Sequence, residues 1–262
     1  MAEKEISVID MELNKALFYK LILEATSGEH ERYNIGTYKE KTLHLILKRY
    51  FEEDEQYHEI PTNGFIADIK HGDTITEIET SSLSGLNPKL EAYLPEYKVR
   101  LVYPLAAVKY VSWINPETGT ISKRNKARKK TTVYNALFEL VRILPYVNDK
   151  NLTLLVPLLE IDEYRMLDGW SHDKKRGSNR FDRIPSDILG IESFSANADY
   201  ERYIPGSCVE NFTIKDFAEE AKVDTEVIRG VTRVFLERGL IEKTGKKGNA
   251  VLYSRKIESS DR

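Results

Sequence analysis

Cysteine is nearly absent from this chain and long apolar runs are absent altogether, and each gap removes a class of protein. A single cysteine, Cys208, in 262 residues excludes an internal disulfide and fits a reducing cytoplasm. It also argues against a zinc–thiolate cluster, which needs ligand-spaced cysteine partners. No run of about 18 apolar residues occurs, so neither a membrane span nor a membrane partner is expected. The opening Met1-Ala2-Glu3-Lys4-Glu5 is acidic and polar, without the basic and apolar blocks of a secretion signal. Internal repeats and low-complexity tracts are missing too. What is present is globular in composition. Hydrophobic residues make up 41% of the chain and there are 15 tyrosines, at a length that suits one large domain or two small ones.

The segment Phe65-Ile66-Ala67-Asp68-Ile69, a polar tip at His71-Gly72-Asp73, and Ile75-Thr76-Glu77-Ile78-Glu79-Thr80 read as a β-hairpin. Residues two apart share a strand face, so Glu77 and Glu79 point the same way. Their neighbours Ile75 and Ile78 place the pair in a strand that is at least partly buried. Two like charges buried side by side are costly unless a cation or a proton offsets them. Asp68, brought back by the turn, is expected to complete a three-carboxylate pocket for a hard divalent cation. The competing reading is the solvated face of an antiparallel sheet.

The formal net charge is −3, but the basic residues are segregated. Lys123, Arg124, Lys126, Arg128, Lys129 and Lys130 follow one another with no acid between them. Lys174, Lys175, Arg176 and Arg180 form a second basic stretch that continues to Arg183. Acids gather elsewhere, as in Glu52-Glu53-Asp54-Glu55. Such segregation suits a phosphate-binding surface on a weakly acidic protein, although a pair of solvated loops has the same composition. Asp162-Glu163, near the end of a long apolar run, reads as ordinary strand-end polarity.

Hydrophobic spacing predicts helices over 8–26, 37–51, 83–94 and 133–144, with Pro88 in the first turn of the third and Pro145 ending the fourth. Within the second, His44 shares a face with Glu40 and is expected to pair with it or pack. Strands are expected over 58–60, 64–69, 74–80, 98–103, 110–114 and 152–161, the last of them central and covered on both faces. A boundary near 190–208 precedes a C-terminal part. There Thr213 caps a helix over 214–221, and a second helix runs from Asp224 through Arg238-Gly239. Strands at 240–242 and 250–255 flank the tip Gly245-Lys246-Lys247-Gly248-Asn249. The expected organisation is a helical extension over 1–36, an α/β domain over 37–190 and a C-terminal module over 209–258.

The order over about 37–114 is helix, strands bearing Asp and then Glu-x-Glu, helix, strand. It resembles the core of the PD-(D/E)XK, or restriction-endonuclease-like, nuclease superfamily. The resemblance implies an α/β fold, a mixed sheet flanked by helices, and a site where Glu40, Asp68 and Glu77 hold Mg²⁺ or Mn²⁺. The family's third motif residue is usually lysine, and here it is Glu79. Lys89, which opens the following helix, is the candidate for a moved lysine. Asp68, Glu77, Glu79 and Lys89 are thus the expected catalytic residues of a DNA phosphodiester hydrolase.

Residues 209–256 resemble a winged helix-turn-helix, the likeness resting on Phe212-Thr213-Ile214-Lys215-Asp216-Phe217-Ala218 and Leu236-Glu237-Arg238-Gly239-Leu240-Ile241. That implies a recognition helix carrying Arg229, Arg233 and Arg238, and a wing with Lys243, Lys246 and Lys247 against DNA. The two resemblances together imply a cytoplasmic, metal-dependent DNA endonuclease-like protein, with a homodimer or a regulatory protein partner compatible with it. The alternative is a non-catalytic DNA-binding regulator that uses a degenerate nuclease fold as scaffold.

Overall fold

The structure, a computed structural model, describes residues 13–27, 42–128 and 130–256. Glu40, Lys129 and the expected starts of the first two helices lie outside the described residues. Helix α1 (Lys15–Thr26) is capped by the Asn14 side chain, which accepts from the Leu17 amide. Helix α2 (Thr42–Phe51) buries Leu43, Ile46 and Leu47 as one stripe. Strands β1 (His58–Thr62), β2 (Phe65–His71) and β3 (Thr74–Ile78) form an antiparallel meander. Gly64 and Gly72 turn its corners at positive φ, 82° and 59°. Helix α3 (Asn87–Tyr93) has proline in its first turn, as expected, and leads to β4 (Lys98–Val102), parallel to β3.

Strand β5 (Leu105–Ile114) follows almost directly, with the short β6 (Asn125–Lys126) paired back on it. Helix α4 (Val133–Glu139) passes into two 3₁₀ turns over Leu140–Tyr146, kinked at Ile143, and Pro145, which has no N–H for a helical ladder, sits in the second. Strands β7 (Leu152–Met166) and β8 (Arg180–Phe194) come next, then α5 (Asn197–Glu201), α6 (Ile214–Ala221) and α7 (Thr225–Glu237). A hairpin of β9 (Ile241–Lys247) and β10 (Ala250–Arg255) follows. The architecture is mixed α/β, with an eight-stranded sheet of parallel and antiparallel pairs between helices.

Strand β7 organises this sheet. β4 pairs with its start, Val99↔Leu152 to Val102↔Leu155, and β5 with the rest, Leu105↔Leu158 to Ile114↔Met166, both parallel. β8 lies antiparallel on the opposite edge. β4 and β5 are therefore two halves of one path, broken at Pro104, which has no N–H for the ladder. Alternation sends Leu154 and Val156 into one core, with Ala67, Ile75, Leu90 and Leu137. It sends Leu155, Leu159 and Ile161 into a second core, with Phe18, Leu43, Ile46 and Ile78. Beyond Ile161 neither core takes a residue from β7, and β5, β7 and β8 run on as an arm, with the short β6 on its β5 edge.

Two expectations need correction. The long strand does not end at 161, and 180–194 is a strand rather than a basic loop leading into a boundary. Asp182, Pro185, Asp187 and Gly190 break the apolar pattern there; an edge strand tolerates them because one side of its backbone needs no partner. Residues on either side of 190–208 share apolar packing. Phe217, Ile228, Val231 and Val234 share a core with Leu101 and Leu137. Gly230 lets α7 press onto α4, where a Cβ would stand 2.2 Å from Phe138 Cδ2.

Candidate active site

Strands β2 and β3 stop pairing at Ile69↔Thr76, although β2 begins earlier and β3 runs on to Ile78. Asp68 and Glu77 flank the point where the ladder ends. The Asp68 carboxylate takes up the freed backbone there: Oδ2 accepts from the Ile78 amide at 2.7 Å. His44 Nε2, on α2, lies 3.3 Å from the same oxygen. From the start of α3, Lys89 Nζ donates to Glu77 Oε2 at 2.7 Å and to the Ile66 carbonyl at 2.8 Å. Glu79, one residue beyond β3, is held by its own amide to the Val102 carbonyl at 2.9 Å.

The two central carboxyls are driven in opposite directions. Glu77 is 1% exposed, and its Oε1 has no hydrogen-bond partner. Burial, reinforced by the charge of Asp68, pushes Glu77 up to about 7, against the pull of Lys89. Burial also acts upward on Asp68, but the His44 hydrogen bond and charge, the Ile78 amide and Lys89 outweigh it and hold Asp68 below the usual aspartate value. Glu79 is raised by burial and by Asp68, with Lys89 and His44 opposing. Paired acids pushed apart in this way can divide ionised and protonated roles between them.

Among the described residues no three His, Cys, Asp or Glu side chains converge as a metal-ligand set. The pocket expected of Asp68, Glu77 and Glu79 is therefore not formed: Lys89 occupies one oxygen of Glu77, and Glu79 sits past the end of the strand. Two carboxylates remain, one with a buried, unpartnered oxygen. Mg²⁺ is commonly held by one or two protein carboxylates, with water and substrate phosphate completing its octahedron. The donor set fits Mg²⁺ or Mn²⁺ better than zinc.

The basic residues fare unequally. Lys123, Lys126, Arg128 and Lys130 are exposed around β6, and Lys174, Lys175 and Arg176 are exposed in the β7–β8 turn. Both stretches sit on the arm, and Lys174 Nζ lies 3.5 Å from Glu117 in the β5–β6 connection. Arg124 is exposed but already engaged. It pairs with Glu160 and Asp162 and stacks on Tyr110 at 3.4 Å. Arg229 and Arg233 are exposed on α7, and Lys243, Lys246 and Lys247 on β9. Arg238, expected on a recognition surface, instead ties Val147, Ser195 and Asn197 together and lies over Tyr200.

Sequence reasoning missed two features. His44 reaches Asp68, a contact across 24 positions that helix periodicity gives no sign of. Glu163 is 4% exposed rather than strand-end polarity, and it is ringed by cations from β5, β7 and β8. Finding that ring requires the pairing of β8, which the composition of 180–194 conceals.

A mixed α/β domain with a buried carboxylate–lysine site is the class these features define. Residues 41–195 match the family described as Domain of unknown function (DUF8091), more than half of the chain, and the chain belongs to that family. The match runs from α2 through β8 and so contains the whole site. A protein of Treponema pallidum (strain Nichols), described as an uncharacterized protein, is 26% identical over 230 residues, covering 87% of this chain and 90% of that one. No solved structure matches.

Proposed function

We propose that this chain hydrolyses phosphodiester bonds of DNA at the Asp68–Glu77–Lys89 site with Mg²⁺ or Mn²⁺, and that its C-terminal module is a winged helix that helps hold the nucleic acid. One observation carries the reading: the ladder between β2 and β3 opens to leave an ionised Asp68 beside a buried Glu77 with a free oxygen. The order α2, β1 to β3, α3, β4, with β4 parallel to β3, supports the resemblance to PD-(D/E)XK nucleases.

In this mechanism Asp68 and Glu77 would hold the cation, and His44 positions Asp68. When bound, Mg²⁺ would supply a more acidic water and offset charge on the phosphoryl oxygens. Lys89, released from Glu77, donates to a phosphoryl oxygen as negative charge builds on it. Glu79, raised above the usual carboxylate value, accepts a proton from the attacking water. Helix α7 buries Ile228, Val231, Val234 and Phe235, which leaves Arg229 and Arg233 on its exposed side. We therefore assign DNA contact to those arginines together with Lys246 and Lys247 of the wing. The lone, buried Cys208 fits a cytoplasmic setting.

The regulator reading draws on one feature. Lys89 already closes Glu77 in an ion pair, which a retired site would keep. Cleavage of supercoiled plasmid and single-stranded DNA with Mg²⁺ or Mn²⁺ separates the two. The hydrolase reading expects cleavage by the wild type and a loss of roughly 100-fold or more in Asp68→Ala. No cleavage by either protein, with salt-sensitive DNA binding retained, favours the regulator.

A further inference from the structure

The arm carries a concentration of positive charge that the carboxylate site does not use. On β7, Ile161, Glu163 and Arg165 share a face. Register places Lys109 of β5 opposite Ile161, Arg183 of β8 opposite Glu163, and Arg180 opposite Arg165. Lys109 Nζ lies 3.6 Å from Glu163 Oε2, Arg180 Nε lies 3.5 Å from the same oxygen, and Arg165 Nε lies 3.0 Å from Oε1. Four cations thus face one carboxylate. The neighbouring acids are engaged elsewhere: Glu160 and Asp162 bind Arg124, and Asp182 accepts from Thr42.

The hydrogen bonding is incomplete in the same place. Among the described residues, Arg165 Nε and Arg183 Nε are buried with no acceptor. The 3.0 Å approach of Arg165 to Glu163 is an ion pair by distance, but the N–H is not directed at the oxygen. Buried donors without acceptors are rare in folded proteins. Burial and then the charge of Arg180 hold Arg183 below the usual guanidinium value. Excess cations and unused donors together describe an anion seat. Paired guanidinium forks suit the oxygens of a phosphate. The place is also close to the carboxylate site, since Arg183 Nη2 donates to the Thr80 carbonyl, one residue past Glu79.

We propose that Lys109, Arg165, Arg180 and Arg183, ordered around Glu163, bind a backbone phosphate of the nucleic acid and lead the strand into the Asp68–Glu77 site. The choice of nucleic acid rests on the hydrolase reading. It is favoured over free phosphate because exposed Lys174, Lys175 and Arg176 prolong the positive surface along the arm, further than one phosphate needs.

The test measures binding without metal, so that it does not depend on cleavage. Affinity for single-stranded and duplex oligonucleotides is followed across salt concentrations in EDTA, beside calorimetric titration with inorganic phosphate. Lys109→Gln and Arg180→Gln each weaken oligonucleotide binding by about 3- to 10-fold and lower the salt slope by about one. Glu163→Gln removes the competing carboxylate and strengthens binding, a change of sign that loss of folding would not produce. Unchanged affinity and slope in Lys109→Gln and Arg180→Gln overturn the site. Saturable binding of inorganic phosphate without oligonucleotide binding overturns the nucleic-acid assignment. Should cleavage fail while these binding changes appear, the hydrolase reading falls and the phosphate site stands.

Discussion

Glu77 is the residue at which burial and ionisation meet. Its carboxyl is buried beside Asp68 and rises from an ordinary 4.5 to about 7. The folded state therefore holds this proton more tightly than the unfolded chain does. Stability from the protonated carboxyl is fully present below the unfolded value and is lost as pH rises through the folded one. The shift corresponds to roughly 3 kcal/mol. Glu77→Gln removes the titration and keeps the shape, so in metal-free buffer its stability relative to wild type improves between pH 4.5 and 7.5 by up to about that amount. Urea unfolding at pH 4.5, 6 and 7.5 measures it. A difference that stays constant with pH means that Glu77 does not titrate in this window.

At the scale of elements, α4 and α7 approach through one glycine. Alanine ordinarily stabilises a helix interior by about 1 kcal/mol over glycine, but at Gly230 the new Cβ would overlap the Phe138 ring. Gly230→Ala is therefore expected to destabilise by roughly 1–3 kcal/mol, read as a lower urea midpoint. Equal or greater stability would show that Phe138 moves aside freely. The elements also show where sequence is a sufficient guide. The hairpin that carries Asp68 and Glu77 was legible because such a turn is local, and α3 was legible from Pro88. β7 was legible in part, since its apolar stretch is long enough to reveal a doubly covered strand. Its polar continuation and β8 were hidden, because an edge strand accepts proline and acids that composition assigns to a loop. The intramolecular engagement of Arg124 and Arg238 was hidden for a related reason. Their side-chain hydrogen-bond partners lie at least 36 and 41 positions away in sequence, and only the fold brings them together.

Across the whole molecule, the C-terminal module is bound into the main core rather than tethered to it. Arg238 reaches back to Val147 and Ser195, Asn148 donates to the Glu237 carbonyl, and the Tyr134 ring meets Phe217 edge-on at 6.0 Å. One apolar cluster continues from Leu101 of the sheet through Leu137 of α4 to Val234 of α7. Shared burial of this kind makes separate unfolding costly, because removing one part exposes the apolar face of the other. The full chain is expected to lose far-UV signal in one urea transition, with the α7 amides exchanging through the same global opening as those of β7. A chain ending at 208 leaves Phe138 and Leu137 without the helix that covers them, and is expected to unfold at lower urea with a broadened transition. If that shorter chain unfolds at the same midpoint and with the same steepness, the two parts are independent. Arg229, Arg233 and the β9 lysines would then move freely relative to the carboxylate site. With the core intact, the exposed faces of α7 and β9 keep one set orientation relative to β2 and β3.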